Sequence, residues 1–173
     1  MKSFPWYCLI DCSEPLSQGD ILYSCEIVNP ILDRDDNKIK GEISIYDIIV
    51  MSQSCDLENK KVDLVLVCPI FPLSDVEAKD SYIKSTKGKN DLRRGNIFGY
   101  HLLNKCVIKK HECDYLVVDF HNVFGMPIDY LISKAETYKK RLRLLPPYRE
   151  RFSQAFASFF MRVGLPEDIP TFK

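Results

Sequence analysis

Residues Asp47 to Leu57, DIIVMSQSCDL, join the most apolar short run of the chain to its densest cluster of reactive polar side chains. Ile48, Ile49, Val50 and Met51 are continuous, of strand length and largely β-branched, which predicts a strand buried on both faces. Ser52, Gln53, Ser54, Cys55 and Asp56 follow at once, and Ser and Asp so placed hydrogen-bond their own backbone and turn the chain. A second run of the same kind, Val62 to Val67, begins after Glu58 to Lys61. The two runs pair as a hairpin with the polar segment at its shoulder.

The rest of the chain must supply a sheet around that hairpin. Met1 to Leu16 carries Trp6, Tyr7, Cys8 and Cys12 and reads as a short strand or an arm laid over the core. Gln18-Gly19-Asp20 turns into a strand that runs to about Val28 and stops at Asn29-Pro30, and Asp33 to Lys38 is a charged hairpin end. Past the central hairpin, Pro69 and Pro72 end the second strand. Ser74 to Ile83 suits a short helix, and Lys84 to Arg94, KSTKGKNDLRR, reads as a mobile polar loop. Lys105 to His111 and Asp114 to Val123 complete six or seven strands. Pro127 to Leu131 opens a short helix, and Lys139 to Arg143 is a basic stretch whose charges, with those up to Arg151, suit phosphate contacts or else a wet edge. From Pro147, residues Tyr148, Phe152, Phe156, Phe159, Phe160 and Val163 fall three and four apart, an aromatic stripe facing the sheet, with Gly164 and Pro166 as stop signals.

Composition excludes more than it selects. The 173 residues are 46% hydrophobic and 28% charged, one globular domain's worth of chain. Lys plus Arg and Asp plus Glu both number 24, so any basic surface is local. Seven cysteines without a recognisable signal peptide point to a reduced, cytoplasmic chain with free thiols and no structural disulfide. No run reaches the ~18 apolar residues of a membrane span, so no membrane partner is expected. No cofactor motif is present, and none is expected.

The order of elements resembles the MazF/PemK-like toxin family, through Gly19-Asp20-Ile21, Ile48 to Ser52, Leu64 to Ile70, Tyr115 to Val118 and the Lys140-Arg141-Leu142 step before the last helix. The resemblance implies an α+β fold: a mostly antiparallel SH3-like β-barrel over about 16–125, with C-terminal helices over about 127–165 packed on it, in a single domain 1–173. It also implies sequence-selective RNA cleavage by an Arg near the first strands and a Thr or Ser just after the Pro-Ile step. Here Phe71 follows Pro69-Ile70, and no Arg-Pro pair precedes the buried strand. Arg34 lies in the corresponding hairpin region. The family's catalytic pair is unmatched, so its chemistry is expected to be missing.

Four groups of residues carry possible chemistry. Cys55, between Ser54 and Asp56 at a strand end, is placed as an exposed nucleophile would be, yet it needs a base from His101, His111 or His121. The alternative, and the expected one, is a small apolar thiol beside a turn-forming Asp56. His101, Cys106, His111 and Cys113 are zinc-type ligands, but their spacing matches no familiar site, and no metal is expected. Arg93 and Arg94, with Lys84, Lys87 and Lys89 upstream and the rings of Tyr82, Phe98 and Tyr100 nearby, suit phosphate and base contacts, or else a solvated loop. Phe159, Phe160 and Met161 are core by default and a partner surface if exposed.

These readings lead to an expected function. The chain is an accessory binding module of a prokaryotic defence or toxin-antitoxin-like system, a MazF-like barrel that docks a protein partner or nucleic acid. The protein partner is a second copy or a cognate component, and RNA is the expected nucleic acid. The alternative is a ribonuclease using Arg93 or Arg94 on the phosphate and His101 as acid or base.

Overall fold

The computed structural model describes residues 4–34, 37–59 and 61–161. In chain order its elements are β1 (Tyr7–Asp11), β2 (Ile21–Asp33), β3 (Lys38–Val50), α1 (Ser54–Glu58), β4 (Leu64–Pro72), α2 (Leu73–Lys79), α3 (Ser81–Lys84), α4 (Thr86–Arg94), β5 (Tyr100–Leu103), β6 (Leu116–Asp119), β7 (Phe124–Pro127), α5 (Ile128–Glu136), β8 (Lys140–Leu144) and α6 (Tyr148–Phe160). The fold is mixed α+β, and its strand pairs are antiparallel.

The central hairpin forms between β3 and β4, with Val50 opposite Val67 and Asp47 opposite Ile70. Ile48, Ile49 and Val50 are fully buried, Ile49 in one apolar cluster and Ile48 and Val50 in another. The run is therefore covered on both faces, as its β-branched composition predicts. The first cluster also takes in α6, so Ile49 and Phe156 share one core.

Other expectations are corrected. The sheet runs open from β2 through β3, β4 and β6 to β5, with β7 also on β4, and β1 and β8 form a separate two-stranded sheet. No closed barrel forms among the described residues. Helices α2 to α4 are inserted between β4 and β5, and their buried Val76, Ile83 and Leu92 pack with Val117 of β6. β4 does not stop at Pro69. That residue falls between the stretch paired with β7 and the stretch paired with β6, and Pro72 is the last residue, so neither proline interrupts a continuous ladder. Lys105 to His111 contributes only an isolated bridge between Cys106 and Cys113.

Lys84 to Arg94 is helix rather than mobile loop. Ser85 caps α4 by accepting from the Gly88 amide at 3.0 Å, Leu92 is buried, and Gly95 ends it in the left-handed region at φ 78°. Arg93 and Arg94 occupy its last turn, where cations complement the helix dipole. The basic stretch Lys139 to Arg143 supplies strand β8, paired with β1, and not a wet edge. The last helix begins and packs as its stripe predicts, with Phe152 buried and Phe156 and Phe159 against the first core cluster. Val163, Gly164 and Pro166 lie outside the described residues.

Candidate functional site

Two arginine clusters dominate the charged architecture. In the first, Asp20 at the start of β2 is fully buried between two β8 side chains. Arg141 Nε donates to Asp20 Oδ2 at 2.9 Å, and Arg143 Nε and Nη2 donate to Oδ1 and Oδ2 at 2.5 and 2.9 Å. Arg141 also donates to the carbonyls of Asp11, Glu14 and Pro15, and Arg143 to that of Pro15. The Ser17 amide completes the carboxylate. The Asp20 carboxylate accepts from both arginines and the Ser17 amide, and the cluster is a clip tying the N-terminal segment to β8.

The second cluster is open. A groove of about 860 Å³ runs between α4, β5 and α6. Arg93 and Arg94 enter it from α4, Phe98 and Tyr100 from the turn into β5, His101 from β5 and Arg151 from α6. Arg93, Arg94 and Arg151 are exposed, and none lies within ion-pair distance of a carboxylate among the described residues. Lys89, which also lines the groove, is paired with Glu77 at 2.9 Å. Trp6 and Tyr115 add rings, and Trp6 is held by a stacked contact with Tyr148 at 3.8 Å.

His101 forms part of the floor. It is 8% exposed and packs on Phe120 and Phe152 at ring distances of 6.3 and 5.6 Å. Burial, reinforced by the nearby Arg151 charge, pushes its pKa down from 6.5 to about 4, so the ring is neutral at pH 7. Beside it, Gly99 has φ +91°, and a Cβ there would lie 2.1 Å from His121 Cε1, so only glycine lets the His121 ring close over this turn. His121 Nδ1 is 2.8 Å from Asp119 Oδ1, whose other oxygen accepts from Asn122 at 2.7 Å.

The structure thus brings together Arg93, Arg94, Phe98, Tyr100 and His101 and leaves out Tyr82, Lys84 and Lys87. Tyr82 instead donates to Asp91 at 2.5 Å. Arg151 was not legible as part of this groove, because it lies in a basic stretch that suits phosphate contacts or else a wet edge. The signal was there: Arg151, Gln154, Ala155 and Ser158 recur three and four apart on α6, a polar and small-residue stripe beside the aromatic one, and all four line the groove.

Cys55 and Asp56 sit on α1, and neither lines the groove. The thiol is exposed and donates weakly to Asp56 at 3.8 Å. Among the described residues the Asp56 side chain takes no backbone amide of the turn, where the sequence suggests one. Ser52 Oγ accepts from the Leu66 amide at 2.9 Å, and Ser54 Oγ meets Ser17 Oγ at 2.6 Å. All seven thiols are free. Cys106 and Cys113 face each other across their bridge, but no group of three His, Cys, Asp or Glu that could hold a metal occurs among the described residues. Phe159 packs on Phe120 and His121, whereas Phe160 and Met161 are 59% and 79% exposed. Arg34 follows β2 directly and is exposed. No described helix is long and apolar enough to cross a membrane. No family model and no curated protein match this chain.

Proposed function

We propose that the chain is a binding module whose groove takes single-stranded nucleic acid, RNA in the first instance. One observation carries this reading: three exposed arginines, none within ion-pair distance of a carboxylate among the described residues, converge on a groove lined with aromatic rings. Guanidinium groups meet phosphates, and rings stack on bases without regard to sequence. The net charge of zero adds no general attraction, so affinity rests on this local patch. On the resemblance of the sequence to MazF/PemK-like toxins alone, without their catalytic pair and without a closed barrel among the described residues, the proposed role is that of an accessory component of a toxin-antitoxin-like or defence system.

The competing reading is a ribonuclease in which Arg93 or Arg94 holds the phosphate and His101 moves the proton. A ring titrating near 4 is a weak base and no acid at neutral pH, which favours binding over cleavage. Fluorescence anisotropy with a labelled 12-nucleotide RNA tests the proposal. Binding that weakens with salt and falls at least tenfold in the combined Arg93→Ala, Arg94→Ala, Arg151→Ala variant is expected, with the RNA intact on a denaturing gel. Unchanged affinity in that variant, or no binding at low salt, overturns it. Cleavage abolished by His101→Gln would instead establish the ribonuclease.

A further inference from the structure

The β2–β3 hairpin continues well past the sheet. β3 pairs with β4 only over 47–50, whereas its pairing with β2 runs on to Lys38 opposite Asp33. The outer part is a two-stranded arm, roughly 23 Å long at the rise of a strand. Its two faces differ. Cross-strand pairs Val28 with Ile43, Pro30 with Gly41 and Leu32 with Ile39 share one face, and Ile45 extends it towards the base. Val28, Leu32, Ile39, Ile43 and Ile45 are 58 to 77% exposed. The opposite face carries Asn29, Lys40, Glu42 and Ser44 besides Ile31, with Asn29 donating to Ser44 at 3.0 Å and Lys40 paired with Asp33.

An isolated two-stranded ribbon is marginal in water, and an apolar face of this size is half of a core. We propose that it is the interface between two copies of this chain, packed face to face about a two-fold axis. This inference does not depend on what the groove binds. Two features of the arm select a second copy. The first is area: at roughly 100 Å² for each large aliphatic side chain, these five residues cover on the order of 500 Å² per copy. The pair then buries about 1,000 Å², the size a specific interface has to reach.

The second feature is charge. In antiparallel packing centred on Pro30 and Gly41, residues equidistant from Pro30 meet, so Val28 faces Leu32 and Glu26 at the arm's base faces Arg34 at the partner copy's tip. Both are exposed, and they carry opposite charge. Gly41 at the centre leaves no bulge, since Val28 Cγ1 lies 3.0 Å from where its Cβ would be.

Sedimentation equilibrium on the full chain at micromolar concentrations tests the proposal. A dimer is expected for the wild type, and a monomer for Ile43→Glu. Circular dichroism should show Ile43→Glu folded, because Ile43 is exposed within one copy. Glu26→Arg and Arg34→Glu should each weaken association, and the double exchange should restore it. A monomeric wild type, whether or not the arm captures some other molecule, overturns the proposal. So does a dimer that Ile43→Glu leaves intact at undiminished affinity, or a double exchange no better than the single ones.

Discussion

Arg141 and Arg143 on β8 and Arg94 and Arg151 at the groove are the same side chain put to opposite uses. The strand pair converges on one carboxylate, and Arg141 is 1% exposed with its donors spread over Asp20 and three carbonyls. The groove arginines come from separate helices, lie outside ion-pair distance of any carboxylate among the described residues, and stay wet. Burial against a paired carboxylate makes an arginine part of the fold, and exposure outside ion-pair distance leaves it open to a ligand. Charge density along the sequence does not distinguish the two cases. Register does, because alternation along β8 places Arg141 and Arg143 on one side of the strand, and Asp20, just before β2, bridges to Arg143.

The largest expected effect comes from breaking the closed cluster. Asp20→Ala leaves a buried guanidinium without its counter-charge and should cost about 3 to 5 kcal/mol in chemical denaturation. A loss below about 1 kcal/mol would show that the carbonyls alone hold Arg141 and would erase the difference between the two arginine clusters.

Next comes pH, read at the floor of the open cluster. His101 titrates near 4 in the folded chain and near 6.5 when unfolded. Between those values the unfolded state binds more protons, so stability should fall as pH drops from about 6.5 to about 4 and be full above that window. The loss is on the order of 3 kcal/mol. His101→Gln should remove this part of the profile, seen as melting curves that converge at low pH. Arg151→Gln should narrow the window by letting the folded pKa rise. A wild-type profile parallel to that of His101→Gln would overturn the account of burial.

The groove arginines should affect binding far more than stability. Each exposed substitution should move stability by no more than about 0.5 kcal/mol. The triple variant should lower the slope of log affinity against log salt by about 2, at ~0.7 per phosphate contact on a single strand. A slope unchanged within error would place the phosphate contacts elsewhere.

How much of this was legible follows from what each signal depends on. The β3 run and the α6 stripe were readable because continuous β-branched residues and aromatic spacing of three and four report burial locally. Lys84 to Arg94 was misread because composition hid a capped helix, although Ser85 and Gly95 stood at its two ends. Arg93, Arg94, Tyr100 and His101 were legible as candidates because they lie close together in sequence. Trp6 and Arg151 were not, because only tertiary packing brings the two chain ends to them. The open sheet was invisible for the same reason, since closure depends on which edges meet and not on strand count.

The smallest effects concern the polar shoulder after β3, where the cluster is reactive by composition and structural by geometry. Ser52 accepts the Leu66 amide at the start of β4, so Ser52→Ala should cost about 0.5 to 1.5 kcal/mol, the net worth of one such bond. Asp56 takes no backbone amide among the described residues, and Asp56→Ala should stay within about 0.5 kcal/mol. Cys55→Ser should be neutral in both melting and RNA affinity, because the thiol neither lines the groove nor has a histidine as hydrogen-bond partner. The three variants, measured by melting and by anisotropy, test the division of the molecule directly. Loss of RNA affinity in Cys55→Ser or Asp56→Ala with an unshifted melt would move the site from the groove to this turn, and the contrast between closed and open arginines would no longer locate function.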